Sequence, residues 1–91
     1  MLKRILCFGN SNTWGYIPGS GERYISDKRW TGIIARRLGK GYQIIEEGLN
    51  GRTIAFEDPN RPGRNGILYL IPCMETHRPL NIVILFLGTN D

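Results

Sequence analysis

The sequence holds one histidine, two cysteines and five prolines in 91 residues, and each scarcity excludes something. With a single imidazole and scattered carboxylates there is no ligand spacing for a zinc or calcium site, and no metal or cofactor is expected. Cys7 and Cys73 fall inside apolar segments, outside any Cys-x-x-Cys arrangement, and are too few for a disulfide scaffold. Reduced, buried thiols are expected. No apolar run approaches the roughly 20 residues of a membrane span. The opening Met1-Leu2-Lys3-Arg4 is basic, but the apolar stretch behind it ends at Phe8, too soon for a secretion signal. A cytoplasmic location without membrane association follows as an expectation. Basic residues outnumber acidic ones by 12 to 8, for a net charge of +4. They occur as singles and pairs with no run of five, so the excess reads as a solvated surface and not as a nucleic-acid interface. Internal repeats and low-complexity tracts are also absent.

What is present suits one globular domain: 41% of residues are hydrophobic and 22% charged. Ile5-Leu6-Cys7-Phe8 is a short continuous apolar run stopped by Gly9, the pattern of a strand buried on both faces. Residues 11 to 27 read as a long, glycine-punctuated loop, a kind of segment that often carries function. Trp30, Ile33, Ile34 and Leu38 recur at helical spacing and predict a helix over about 27–38, with Ser26 or Asp27 as N-cap and Gly39 as a left-handed stop. A second strand runs from Tyr42 to about Glu47. A loop over 56–66 leads to a helix over 66–77, capped by Asn65 and kinked or restarted at Pro72, which lacks the amide hydrogen of an interior position. Ile82 to Leu87 is the strongest strand signal and reads as an interior strand of a sheet.

Alternation of strand and helix predicts an α/β fold with a parallel sheet. In such sheets ligands bind beyond the carboxyl ends of the strands. All three strands end in glycine and small polar residues, namely Gly9-Asn10-Ser11-Asn12, Gly48-Leu49-Asn50-Gly51 and Gly88-Thr89-Asn90-Asp91. These turns lie on one sheet edge and can converge. Ser11 is a candidate nucleophile, or it caps a turn as serine often does. The backbone amides of Ser11 and Gly51 and the side-chain amide of Asn90 are candidate donors to an oxyanion, although Asn90 can instead close a turn with Thr89.

Phe8-Gly9-Asn10-Ser11-Asn12-Thr13-Trp14-Gly15 resembles the first block of the SGNH (GDSL-like) hydrolases, Gly48-Leu49-Asn50-Gly51-Arg52-Thr53 the second and Gly88-Thr89-Asn90-Asp91 the third. The order and separations also fit, over essentially the whole chain. Glu46-Glu47-Gly48-Leu49 and Arg29-Trp30-Thr31-Gly32 are further similar to the arylesterase and acyltransferase branch. The resemblance implies a flavodoxin-like three-layer sandwich, of which this chain supplies the first three strands. It also implies a serine esterase acting on small aryl or short-chain acyl esters. Ser11 would then be the nucleophile, with Ser11, Gly51 and Asn90 forming the oxyanion hole. Asn10, Asn12, Trp14, Asn50 and Arg52 are candidates for the substrate pocket, Trp14 either as an acyl-pocket wall or as simple packing.

Two departures stand out. Asn10 occupies the position where the family usually has aspartate, and the family's closing Asp-x-x-His block is absent. His77 is expected to lie at the edge where chains enter the sheet, as an exposed or helix-capping residue, and Asp91 is expected to hold its turn. Residues 1–91 are therefore expected to be the N-terminal part of a single domain, partnered by its C-terminal half or by further copies of itself. A flavodoxin-like nucleotide or flavin binder, with the Ser11-Asn12-Thr13 turn on a phosphate, is the alternative. Against it, the chain has neither Gly-x-Gly-x-x-Gly nor a P-loop ending.

Overall fold

Alternate side chains of a strand point to opposite faces, so a run that is apolar at every position needs cover on both. Strand β1 (Lys3–Gly9) has it: every residue from Ile5 to Gly9 is buried. β1 is the central strand of a parallel sheet ordered β2-β1-β3, with β2 spanning Tyr42–Gly48 and β3 spanning Ile82–Phe86. The computed structural model describes residues 1–91. In register, Gly9 stands opposite Gly48 on one side and Phe86 on the other, so the three strands end together. The chain leaves β1 towards β2 and returns to place β3 on the other flank, which puts the reversal of strand order at the end of β1, where α/β sheets hold their ligands.

Helices cover both faces, giving three layers. Helix α1 is one turn (Ser11–Trp14), α2 spans Trp30–Leu38 and α3 spans Gly66–His77. Leu6 and Phe8 pack on Cys73 of α3, with Ile45, Leu70, Met74, Leu80, Val83 and Leu87 around them. On the opposite face Trp30 of α2 meets Phe86 edge-on, with ring centroids 5.9 Å apart. Cys7 and Cys73 are both free and buried. Burial, and the charge of Glu46 on Cys7 and of Glu47 on Cys73, push both thiols up to about 11.

Several details differ from the sequence-based expectations. The 11–27 segment is not a plain loop, because it opens with α1 and then folds back through a bridge between Tyr16 and Arg23. Helix α2 starts at Trp30, not near 27. Ser26–Lys28 forms a separate 3-10 turn whose carbonyl at Ser26 packs onto Gly32, where any β-carbon would overlap it. The N-cap is consequently Arg29, in extended conformation and without a side-chain cap, while Gly39 takes φ 81° with an extended ψ of −162°. Asn65 precedes α3 but does not cap it; its side-chain amide donates to Glu57 at 3.1 Å. Helix α3 is assigned continuously through Pro72. β3 ends at Phe86, one residue short of the apolar run, and within these residues has β1 as its one strand neighbour, leaving Leu85 56% and Phe86 45% exposed. No helix is long and apolar enough to cross a membrane.

Candidate active site

The turn after β1 is built around its glycine. A β-carbon on Gly9 would overlap the Thr13 side chain, and one on Gly48 would overlap the backbone of Thr13 and Trp14. Glycine at these paired positions lets α1 lie directly on the ends of β1 and β2. Thr13 is fully buried, and its hydroxyl accepts a hydrogen bond from the Trp30 indole at 3.2 Å. Asn10 caps the turn: its Oδ1 accepts from the Asn12 amide at 3.1 Å, so the acceptor expected of an aspartate here is retained. Its Nδ2 is buried without a partner.

Ser11 follows as the first residue of α1, and a cavity of about 210 Å³ opens beside it, lined by Ser11, Tyr16, Asn50, Gly51, Arg61 and Asn90. The three strand-end turns thus meet at one concavity. Gly51 adopts φ 81°, a conformation that disfavours any side chain. The amide hydrogens of Ser11 and Gly51 take no part in the turn and cap hydrogen bonds around them. Asn90 donates one side-chain hydrogen to the Arg52 carbonyl at 3.1 Å, leaving its second amide hydrogen free. Asp91 closes its own turn through its backbone amide, which donates to the Gly88 carbonyl at 3.2 Å, and its carboxylate oxygens tie that turn to the segment after β2, each accepting from the Ile54 amide at 3.1 Å.

The other pocket candidates lie outside this lining. Asn10 is buried in the cap and Asn12 faces solvent. Trp14 packs under the Arg23 guanidinium, 5.0 Å from its ring centroid, and its carbonyl accepts from Arg23 Nε at 2.6 Å. Arg52 is 3% exposed. Its Nη1 donates to the carbonyls of Glu47 at 2.7 Å and Gly9 at 3.2 Å, and its guanidinium lies 4.0 Å from the Phe8 ring centroid. Burial pulls its ionisation below the ordinary arginine value, against the opposing charge of Glu47. Arg52 borders a second, larger cavity of about 610 Å³ with Glu47, Leu49, Glu57 and Tyr69. That cavity is roomier but contains no serine, threonine or cysteine, so chemistry favours the smaller one.

Tyr16 and Arg61 also line the cavity; they come from the loops at 16–25 and 56–64, which the sequence offers as entrance or self-association segments without pointing to either residue. His77 is half-buried and neither free nor a cap: its Nε2 lies 2.8 Å from Glu47 Oε2. With Cys73 these residues form a cluster whose ligand-type atoms lie within 4.8 Å of one another. Spacing could not reveal it, since one member comes from β2 and two from successive turns of α3. The Arg52 guanidinium bordering the cluster opposes a further positive charge there.

The chain superposes on the native aryl esterase of M. smegmatis with a TM-score of 0.95 and 52% identity, covering 98% of this chain and 43% of that one. For a carbohydrate acetylesterase from Sinorhizobium meliloti the TM-score is also 0.95, with 50% identity over 98% of this chain and 43% of that one. AlinE4, an SGNH-hydrolase family esterase, shares the fold at a TM-score of 0.68 and 24% identity, over 100% of this chain and 42% of that one. No family model matches the sequence. No curated protein matches it either. The chain spans less than half the length of the solved esterases it matches. A parallel sheet ordered β2-β1-β3, three glycine-led turns meeting at its carboxyl edge and this degree of identity make the chain similar, over nearly its whole length, to part of these aryl esterase and acetylesterase structures, and it shares the fold of an SGNH-hydrolase family esterase.

Proposed function

We propose that these residues form the nucleophile and oxyanion half of a serine esterase acting on small carboxylic esters, aryl or short-chain acyl. The observation that carries the reading is the shared cavity of Ser11, Gly51 and Asn90. In this mechanism Ser11 Oγ bonds to the ester carbonyl carbon as its proton passes to a base. The carbonyl oxygen gains the negative charge and receives hydrogen bonds from the Ser11 amide, the Gly51 amide and the free Asn90 Nδ2 hydrogen. Collapse breaks the bond to the alcohol, which leaves with a proton. Water then cleaves the acyl-serine ester, releasing the carboxylic acid and restoring Ser11. The nearby aryl esterase and carbohydrate acetylesterase structures support this class of substrate.

Serine needs a base, and His77 is engaged by Glu47 instead of lining the cavity. In this reading the base and the acid that orients it come from outside residues 1–91, which form the N-terminal part of one hydrolase domain. The exposed edge of β3 is the surface that the remainder of that domain, or a second copy, would cover. Two free, buried thiols suit a reducing compartment such as the cytoplasm.

The test is hydrolysis of p-nitrophenyl acetate by the full-length protein, with a fluorophosphonate probe to trap the nucleophile. Turnover and labelling should both vanish in Ser11→Ala. Equal rates for wild type and Ser11→Ala would remove Ser11 from the mechanism.

A further inference from the structure

Arg61 reaches the cavity from the loop between β2 and α3. Its amide donates to the Asp58 carbonyl at 3.2 Å, closing a turn, while its side chain lines the cavity with Ser11, Gly51 and Asn90. The guanidinium occupies the space that a β-carbon on Gly51 would claim, so it stands against the residue whose amide is a proposed oxyanion donor. The ion pairs of the structure are Arg29 with Glu46 and His77 with Glu47, and no carboxylate pairs with Arg61. None of the six lining residues is acidic. Behind Asn50 a second cation, Arg64, is tied by its Nε to the Asn50 carbonyl at 3.0 Å and by Nη1 to the Pro62 carbonyl at 2.9 Å. The wall of the cavity is therefore positive, and its one untethered guanidinium has all its side-chain donors available.

We propose that Arg61 makes this site selective for esters that carry a carboxylate, on either the acyl or the alcohol part. This rests on the esterase reading and names its substrate class. A guanidinium fork matches a carboxylate in two parallel hydrogen bonds, and a neutral ester offers it no such partner. Because Arg61 is at the cavity rim, the preference should weaken as salt screens the pair.

Three esters separate the possibilities in the full-length protein: p-nitrophenyl acetate, which is neutral; mono-p-nitrophenyl succinate, with the carboxylate on the acyl part; and 4-acetoxybenzoate, with it on the leaving alcohol. The expected result is that Arg61→Gln lowers the ratio of kcat/KM for an anionic ester to that for p-nitrophenyl acetate by about 10- to 100-fold. Arg61→Lys should recover part of it, and the ester most affected identifies the end that Arg61 holds. An equal loss on all three esters would assign Arg61 to the oxyanion and overturn the proposal, as would no loss on any. Calorimetric titration of 4-acetoxybenzoate and monophenyl succinate into Ser11→Ala reads the same contact without turnover. Loss of binding of either ligand on adding Arg61→Gln supports the inference, and unchanged binding of both overturns it. Failure of wild type to hydrolyse any ester would sink the esterase reading separately.

Discussion

The side-chain amide of Asn90 donates to the backbone carbonyl of Arg52 at 3.1 Å, linking the turn after β3 to the turn after β2. A carboxamide held by one hydrogen keeps its second hydrogen in a fixed direction, which is what a preorganised oxyanion donor requires. Asn90→Ala should therefore lower kcat on p-nitrophenyl acetate by roughly 100- to 1000-fold with little change in KM. Asn90→Asp should lose a comparable amount, since a carboxylate cannot donate and would face the developing negative charge. A KM effect alone would mean that Asn90 binds substrate and does not stabilise the transition state.

Arg52 carries the same linkage further. While its own carbonyl anchors Asn90, its guanidinium donates to the carbonyls that end β1 and β2 and stacks on Phe8. One residue thus ties together the ends of all three strands. Lysine at this position lacks the planar fork and the stacking face, so Arg52→Lys should lower stability by about 2–3 kcal/mol. The urea midpoint reads that loss. If Arg52 positions the oxyanion donors, kcat at temperatures where the variant remains folded should also fall, with KM nearly unchanged. A stability loss without a kcat effect would confine Arg52 to the scaffold.

The parts legible in the sequence are those with one-dimensional signatures. Ile5–Phe8 stands out because a strand buried on both faces is apolar at every position, and Ile82–Leu87 carries the same unbroken apolar run although β3 has β1 as its one strand neighbour and is partly exposed. Their convergence follows from parallel strands ending together, and Gly9, Gly48 and Gly88 mark those ends. Helix α1 escapes because Ser11–Trp14 is too short for periodicity to register. The start of α2 is missed for another reason: Ser26 and Asp27 have capping chemistry, but Gly32 lets their turn pack against the helix instead of leading into it. Arg61 and the Glu47–His77 pair depend on contacts between separate elements, which no local spacing encodes. Asn90 reads from the sequence as a candidate donor, whereas its anchor on the Arg52 carbonyl is a contact between two turns that no local spacing encodes.

The glycines at the site should not be equivalent. At Gly48 an added β-carbon meets the backbone of α1, which cannot move without shifting Ser11. At Gly51 it meets only the tip of the Arg61 side chain, and the penalty is mainly that of a side chain at φ 81°. Gly51→Ala should thus destabilise by about 1–2 kcal/mol. Gly48→Ala should cost roughly 3 kcal/mol or more, because overpacking is added against main chain. Thermal or urea unfolding of the two variants checks the order, and a reversed order would contradict the close approach of α1 to β2.

Glu46 makes the stability of the site's framework dependent on pH. Its carboxylate accepts from Arg29 Nε at 2.9 Å and Nη2 at 3.1 Å and from the Thr31 hydroxyl, joining β2 to the start of α2. Burial pushes the Glu46 carboxyl up, but the hydrogen bonds from Thr31 and Arg29, with the charges of Arg29 and Arg23, outweigh it and hold the group below its ordinary 4.5. Between the folded and unfolded values, the unfolded chain binds the proton more readily. The contribution is therefore fully present above about pH 4.5 and is lost as pH falls through the lower, folded value. Glu46→Gln should lower stability at pH 7 by about 1–2 kcal/mol and flatten the decline on acidification. Urea midpoints measured from pH 7 down to pH 3 for both proteins check this. Parallel curves would show that the Glu46 carboxylate does not carry the acid sensitivity.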